Sequence, residues 1–284
     1  MHFRLVLSFF AVIAMITGIS PLPGLSNGKK IAKIVLDAGH GGQDVGARGK
    51  ISQEKDLTLA IALRVGRLIA DSLKGVQVIY TRTTDVYPTL QERHEIANRA
   101  MADLFLSIHI NSTAVRTERI RTGYHYVRRG KRKVKVPTYR TIRHTETSAA
   151  GTESYVLGLH RTGQKEHAIG DNVDNIVEEP GLLDENDPQT AIIIAQYSQA
   201  FLSRSVSLGT RIQSAFEGIG RGNLGVKQKG LEVLAGSAMP GVLVECGFIN
   251  NPEEEAYMNS ERGQQELAMA IFRGIRNYKA EVER

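Results

Sequence analysis

Short apolar runs alternate with amphipathic stretches along this chain, and that alternation sets the fold expectation before any single residue is weighed. Residues 33–38 (KIVLDA) read as a short buried strand closed by Gly39, His40, Gly41 and Gly42. From Asp56 the period becomes helical: Leu57, Ile61, Val65 and Leu68 share a face, while Arg64, Arg67 and Asp71 lie off it. A second strand is expected at 76–80. Thr89 with Glu92 three positions on forms a capping-box pattern, so a helix should run from there to about Ala100. Residues 104–108 (LFLSI) read as a third strand, ended by His109, Ile110, Asn111 and Ser112. Runs at 154–157, 231–234 and 242–244 read as further short strands. Asn251 and Pro252 look like a helix start, and Leu267, Ile271, Ile275 and Tyr278 form the stripe of a last helix.

Strands alternating with helices predict an α/β fold, a largely parallel twisted sheet with helices on both faces. Two insertions interrupt the pattern. At about 113–145 the chain is strongly basic around Gly130, and the alternation of Tyr124, Tyr126 and Val134 suggests a β-hairpin arm. At about 163–205 an acidic stretch holding Asp171, Asp174, Glu178, Glu179, Asp184, Glu185 and Asp187 precedes a helical pattern from Ala191 to Leu202. Ligands of such folds bind at the carboxyl ends of strands. Three residues with useful chemistry stand there: His40, His109 and Glu245.

Composition changes this picture in two places. With 42% hydrophobic and 23% charged residues the chain can build an ordinary core, and its net charge of +6 suits a polyanionic partner without naming one. At the amino end, Arg4 precedes an apolar run from Leu5 to Ile16 and then small and turn-forming residues, the layout of a signal peptide. The run is shorter than the roughly 20 residues of a spanning helix. Residues 1–26 are therefore read as a signal peptide, leaving 27–284 as one catalytic domain with no stable membrane span. Export also weighs against nucleic acid as the partner. Cys246 is the lone cysteine, so no internal disulfide is expected, and its place beside Glu245 on the alternate face of the strand points it into packing.

A catalytic zinc takes about three protein ligands and leaves one position open for water. His40 and His109 are natural nitrogen donors, and Glu54, just before a helix, is a candidate third ligand. Glu245 would then be free to act as general base, taking a proton from water and passing it to a leaving amine. A serine mechanism lacks its Gly-x-Ser-x-Gly elbow. Glu54 alone would also serve as an exposed helix-start carboxylate. Glu245 is harder to explain away, since a carboxylate ending an apolar strand needs a partner or a task.

At these residues the sequence resembles the zinc-dependent N-acetylmuramoyl-L-alanine amidases of bacterial cell-wall turnover and division. The likeness runs from about Ile31 to Tyr278. It rests on Ile34-Val35-Leu36-Asp37-Ala38-Gly39-His40-Gly41-Gly42, Glu54-Lys55-Asp56, Thr81-Arg82, Glu92-Arg93, Ala97-Asn98, Ser107-Ile108-His109-Ile110-Asn111, and the segment from Val242 through Glu245 to Asn251. The resemblance implies a Zn²⁺ cofactor held by His40, Glu54 and His109, with Glu245 as the catalytic carboxylate. Arg82, Arg93 and Asn98 would be scaffold positions. It implies cleavage of the amide between N-acetylmuramic acid and L-alanine in peptidoglycan, in the periplasm or cell envelope, for wall remodelling or daughter-cell separation. Division enzymes of this kind carry an inserted helix whose acidic residue covers the zinc until an activator protein displaces it. Asp171, Glu178 and Glu179 are the corresponding candidates for an inhibitory lid. Two rival readings stand beside this one: another zinc peptidase acting on stem peptides, and a non-catalytic envelope-binding protein that uses the basic stretch.

Overall fold

The protein is described from a computed structural model covering residues 30–177 and 187–284. The expected signal peptide, Glu178 and Glu179 lie outside the described residues. The first half of the chain contains β1 (Lys33–Ala38), α1 (Glu54–Ser72), β2 (Gln77–Tyr80), α2 (Leu90–Arg99), β3 (Leu104–Asn111), β4 (Arg116–Arg129) and β5 (Arg132–His144). The second half contains β6 (Thr152–Leu157), α3 (Thr162–Gly170), α4 (Val173–Ile176), α5 (Pro188–Glu217), β7 (Asn223–Lys229), α6 (Glu232–Ala235), β8 (Gly241–Phe248), α7 (Pro252–Asn259) and α8 (Glu261–Val282).

Six strands form one sheet in the order β2-β1-β3-β8-β6-β7, and β4 with β5 forms a separate ribbon. Strands β2, β1, β3 and β8 run parallel, whereas β6 is antiparallel to β8 and carries β7 with it. The reversal has a chain-level cause. A parallel return needs a crossover, usually a helix. Between β3 and β6 the chain makes only the basic hairpin, so it re-enters the sheet from the edge at which it left.

Alternation along the strands divides the core. Ile34, Leu36, Ile108 and Val244 face α1, α5 and α8, where Ile61, Val65, Leu208, Ile212, Phe216, Ile271 and Ile275 are buried against them. Val35, Phe105 and Leu243 face the other way, toward Ala97 of α2 and Val233 and Leu234 of α6. Cys246 belongs to the first face and is fully buried, as its position beside Glu245 predicts.

Three departures from the sequence reading have local causes. The run at 231–234 is the one-turn helix α6, because a short apolar run reads alike as buried strand or buried helix turn. Strand β7 was not expected at all: it is a polar edge strand (NLGVKQK) with mostly exposed positions. The helical pattern at 191–202 belongs to a 30-residue helix, α5, capped by Asp187 and begun by Pro188. Leu208, Ile212 and Phe216 of that helix sit in the main core, whereas Ile169, Tyr197 and Phe201, within 163–205, form a smaller cluster of their own. The basic stretch does form a hairpin, and Thr89 and Glu92 do make the reciprocal capping box.

One buried ion pair braces the sheet beneath the strand ends. Arg93 Nη1 donates to Asp37 Oδ1 at 2.7 Å, and Thr81 and Ser107 hydroxyls donate to the same carboxylate at 2.7 and 2.6 Å. Burial alone would raise the Asp37 pKa, but the Arg93 charge and these hydrogen bonds together hold it below the usual carboxylate value. A depressed folded-state pKa gives stability that is present above the unfolded value of about 3.9 and lost as pH falls through the folded value. Asp37→Asn should therefore cost about 3–5 kcal/mol at pH 7 by leaving Arg93 buried without its charge partner, read from urea unfolding. A loss under 1 kcal/mol would show the pair to be dispensable.

Candidate metal centre

The polypeptide bends sharply after β1, and the bend needs glycine. A Cβ on Gly39 would lie 2.4 Å from the His109 ring, and one on Gly46 would lie 2.6 Å from both Glu54 Oε2 and the His40 ring. His40 itself has φ 61°, a left-handed conformation that costs a non-glycine residue about 1–2 kcal/mol. Arginines hold it there. Arg93 Nη2 donates to the His40 carbonyl at 2.7 Å, and Arg82 donates to the carbonyls of Ala38 at 2.9 Å, Gly39 at 2.9 Å and Lys55 at 2.7 Å. Asn98, at the other end of α2, instead ties Gly236 and Ala238 ahead of β8. All three act as scaffold.

Glu54 opens α1 and is only 4% exposed, which corrects any picture of it as a solvated helix-start acid. Its Oε1 accepts from the backbone N–H of Ile110 at 2.9 Å and lies 2.9 Å from His109 Nδ1. Its Oε2 accepts from the Ala47 N–H at 2.8 Å and lies 3.1 Å from His40 Nε2. Burial would raise the Glu54 pKa, but the two histidines outweigh it and drive the carboxyl far below its usual range. The loop that delivers Glu54 is pinned by Glu255, whose carboxylate accepts from the N–H groups of Lys50, Ile51 and Ser52 at 2.8–3.0 Å.

The two imidazoles meet edge to face with ring centres 4.9 Å apart, although they are 69 positions apart in the chain. One donor atom each from His40, Glu54 and His109 lies within 4.8 Å of the others, an arrangement able to hold a metal ion. Two imidazoles and a carboxylate suit a borderline divalent ion such as zinc, whose bonds of about 2 Å need donors at this mutual spacing. The orientation of His40 supports the fit. Its Nδ1 is 2.8 Å from Asp44 Oδ2, which leaves Nε2 facing the cluster, the carboxylate–histidine relay common behind metal ligands. The sequence reading missed Asp44. Its signal was a carboxylate four residues after His40 in a glycine-rich turn.

Register places Glu245 beside His109. The two residues are cross-strand partners on β3 and β8, so they project from the same face. Glu245 Oε2 is buried without a protein hydrogen-bond partner, and burial pushes the carboxyl up to about 7, with help from the nearby charges of Glu54 and Glu153. Glu153 is the next residue in the row, opposite Glu245 across the antiparallel pair. It was missed because the expected strand started one residue later. It accepts from Asn111, from the Tyr155 hydroxyl at 2.6 Å and from the Lys227 ammonium, so its charge is met while that of Glu245 is not.

Asp171 is not brought to this cluster. It ends α3, exposed, with its carboxylate 2.9 Å from His167 Nδ1, and lines a cleft with His94, Asn98 and Gly236. Asn172, its neighbour, lines a cavity with Ile31 and Pro240, which precede β1 and β8. The carboxylate therefore stands near the amino ends of the strands, whereas the cluster is at their carboxyl ends.

A mostly parallel sheet with a two-histidine, one-carboxylate cluster at its carboxyl edge defines an α/β protein with a candidate metal site. A family model described as N-acetylmuramoyl-L-alanine amidase matches residues 34–277, and the chain belongs to that family. It is 29% identical over 258 residues to the N-acetylmuramoyl-L-alanine amidase AmiA of Escherichia coli K12, covering 89% of this chain and 77% of that protein. It is 28% identical over 264 residues to AmiC of Escherichia coli O6:H1, covering 92% of this chain but only 56% of AmiC. Among solved structures, an N-acetylmuramoyl-L-alanine amidase from Clostridium difficile 630 matches with TM-score 0.57 and 26% identity, covering 89% of this chain and 97% of that one.

The Asp44 contact yields a prediction. In metal-free protein burial lowers the His40 pKa, but Glu54 and then Asp44 raise it further, so the net shift is upward. Asp44→Asn should lower the His40 midpoint in an NMR titration. It should also weaken divalent-metal affinity about 10–100-fold, the usual cost of losing such a partner. An unmoved midpoint would show that Asp44 does not orient the ring.

Proposed function

We propose that the protein is a zinc-dependent amidase that hydrolyses the bond between N-acetylmuramic acid and L-alanine in peptidoglycan, acting in the cell envelope after export. The observation that carries this reading is the pairing of the His40, Glu54 and His109 cluster with Glu245 on the adjoining strand, whose Oε2 is buried without a hydrogen-bond partner. His40 through Nε2, His109 through Nδ1 and Glu54 would hold the ion. When bound, zinc supplies a Lewis acid for the scissile carbonyl and lowers the pKa of water at neutral pH.

The chain's own groups do the rest. Glu245 takes a proton from the attacking water at its free Oε2 and returns it to the departing alanine nitrogen. Amide hydrolysis requires that delivery because an amide anion is a poor leaving group. A carboxyl titrating near 7 is suited to both halves of the transfer. Asp44 keeps the His40 tautomer fixed, and the Arg82 and Arg93 contacts keep its backbone in the bent form. The cell-envelope setting is supported by the apolar run from Leu5 to Ile16. Among the described residues no helix is long and apolar enough to cross a membrane.

Digestion of purified peptidoglycan with mass identification of products tests the reading. The wild type should release whole stem peptides with a free alanine amino terminus and leave the glycan uncut; a chelator should abolish release and added zinc should restore it. Glu245→Gln should lower kcat about a hundred- to ten-thousandfold while still binding zinc. Release of single amino acids from the stem would favour a peptidase instead. Near-normal turnover by Glu245→Gln would remove that residue from the chemistry.

A further inference from the structure

The net positive charge of this protein is concentrated in one element. From Arg116 to His144 the β4–β5 hairpin holds eleven Arg or Lys and one Glu, a net +10. The whole chain carries +6, so everything outside the hairpin is net −4. Thirteen or fourteen residues per strand at about 3.3 Å each give an arm about 40 Å long. The turn fits a two-residue hairpin loop, with Gly130 at φ 62° between Arg129 and Lys131.

The register sorts the side chains onto two unlike faces. Arg121 lies opposite Tyr139, Tyr126 opposite Lys135 and Arg128 opposite Lys133, with a one-residue irregularity between Arg121 and Gly123 keeping the two halves in phase. Alternation puts Arg119 and Tyr124 on that same face. The ring contacts agree: Arg119 sits 4.1 Å from the Tyr139 ring centre, and Arg121 and Lys135 lie 4.9 and 4.1 Å from that of Tyr124. No acidic residue falls on this face. The opposite face is mixed, with Val127 against Val134, Ile120 against Arg140, and Glu118 paired to His144. Arg119, Arg121 and Lys135, held over tyrosine rings, and the Arg128–Lys133 pair nearer the turn put a line of positive charge along this face.

The root of the arm is fixed to the edge that carries the metal cluster. The Asn250 side chain accepts from the Thr113 N–H at 3.1 Å and donates to the carbonyls of Thr113 and Thr145 at 3.1 and 3.0 Å, clamping both ends of the insertion. Asn250 follows β8, which bears Glu245, and Thr113 follows β3, which bears His109. The root of the arm therefore stands at the same edge of the sheet as the cluster.

We infer that the tyrosine-and-cation face of the β4–β5 arm binds the peptidoglycan strand itself, through the carboxylates of stem peptides flanking the one at the metal centre. This rests on the proposed amidase activity and adds a substrate-holding surface to it. A line of charge along one face fits an extended polyanion. A bilayer surface would instead call for cations gathered around an apolar wedge, and the tip of this arm is charged on both faces.

Two charge-matched variants test the face. Arg121, Arg128, Lys133 and Lys135 are changed to Gln in the first, and Arg116, Arg129, Arg132 and Arg140 in the second. Since all eight side chains are exposed, both proteins should keep the wild-type Tm. The first variant should sediment with insoluble peptidoglycan at least tenfold more weakly than wild type. Its KM on that substrate should rise in proportion, while turnover of a small soluble muropeptide is unchanged. The second should stay within threefold of wild type. Wild-type binding should also weaken strongly between 50 and 500 mM salt, as screening shortens to a few ångströms. Equal losses in both variants would reduce the effect to bulk charge and overturn the inference. So would no loss in the first, or tighter binding to phosphatidylglycerol vesicles than to peptidoglycan. Face-specific binding by a wild type that releases no stem peptide would sink the amidase reading and leave the arm's role standing.

Discussion

A buried carboxylate has to be met by donors, and Glu54 is met by two histidines and two backbone amides drawn from two other parts of the chain. That requirement organises the catalytic edge. The loop after β1 must fold back so that Ala47 and His40 reach one oxygen, and β3 must end so that Ile110 and His109 reach the other. Gly39 and Gly46 permit the approach, because any side chain there would overlap a ring or the carboxylate. Beneath this layer the Asp37–Arg93 pair and the Arg82 contacts fix the carbonyls of the bend. The pocket is therefore preorganised from below, and a metal ion would find its donors already gathered.

The same edge separates two carboxylates by environment. Glu153 and Glu245 are opposed residues on antiparallel strands, yet one is surrounded by an amide, a phenol and an ammonium while the other keeps an oxygen without a partner. An unpaired buried carboxyl is costly, which is why burial drives Glu245 toward neutrality near pH 7. Such a group is a poor structural element and a useful proton carrier.

Much of this arrangement was legible in the sequence. Strand ends are readable because an apolar run stops, so His40, His109 and Glu245 could be placed at one edge of a parallel sheet from pattern alone. What pattern does not encode is contact between distant segments. Asp44, Glu153 and Glu255 act through hydrogen bonds whose partners only the fold supplies, and each would pass for a surface acid in the linear chain. Asp171, one of three lid candidates that family likeness offered, is carried by α3 beside α2, where His167 is its partner. The polar edge strand β7 was invisible because its residues face solvent and leave no hydrophobic period.

The central claim is that His40, Glu54 and His109 close on a single divalent ion. X-ray absorption on protein loaded with zinc, paired with calorimetric titration, measures this directly. The account predicts one tightly bound zinc per chain with only nitrogen and oxygen neighbours at about 2 Å, and loss of that site in the His40→Ala, His109→Ala double variant. A sulfur neighbour, or undiminished binding by the double variant, would contradict it.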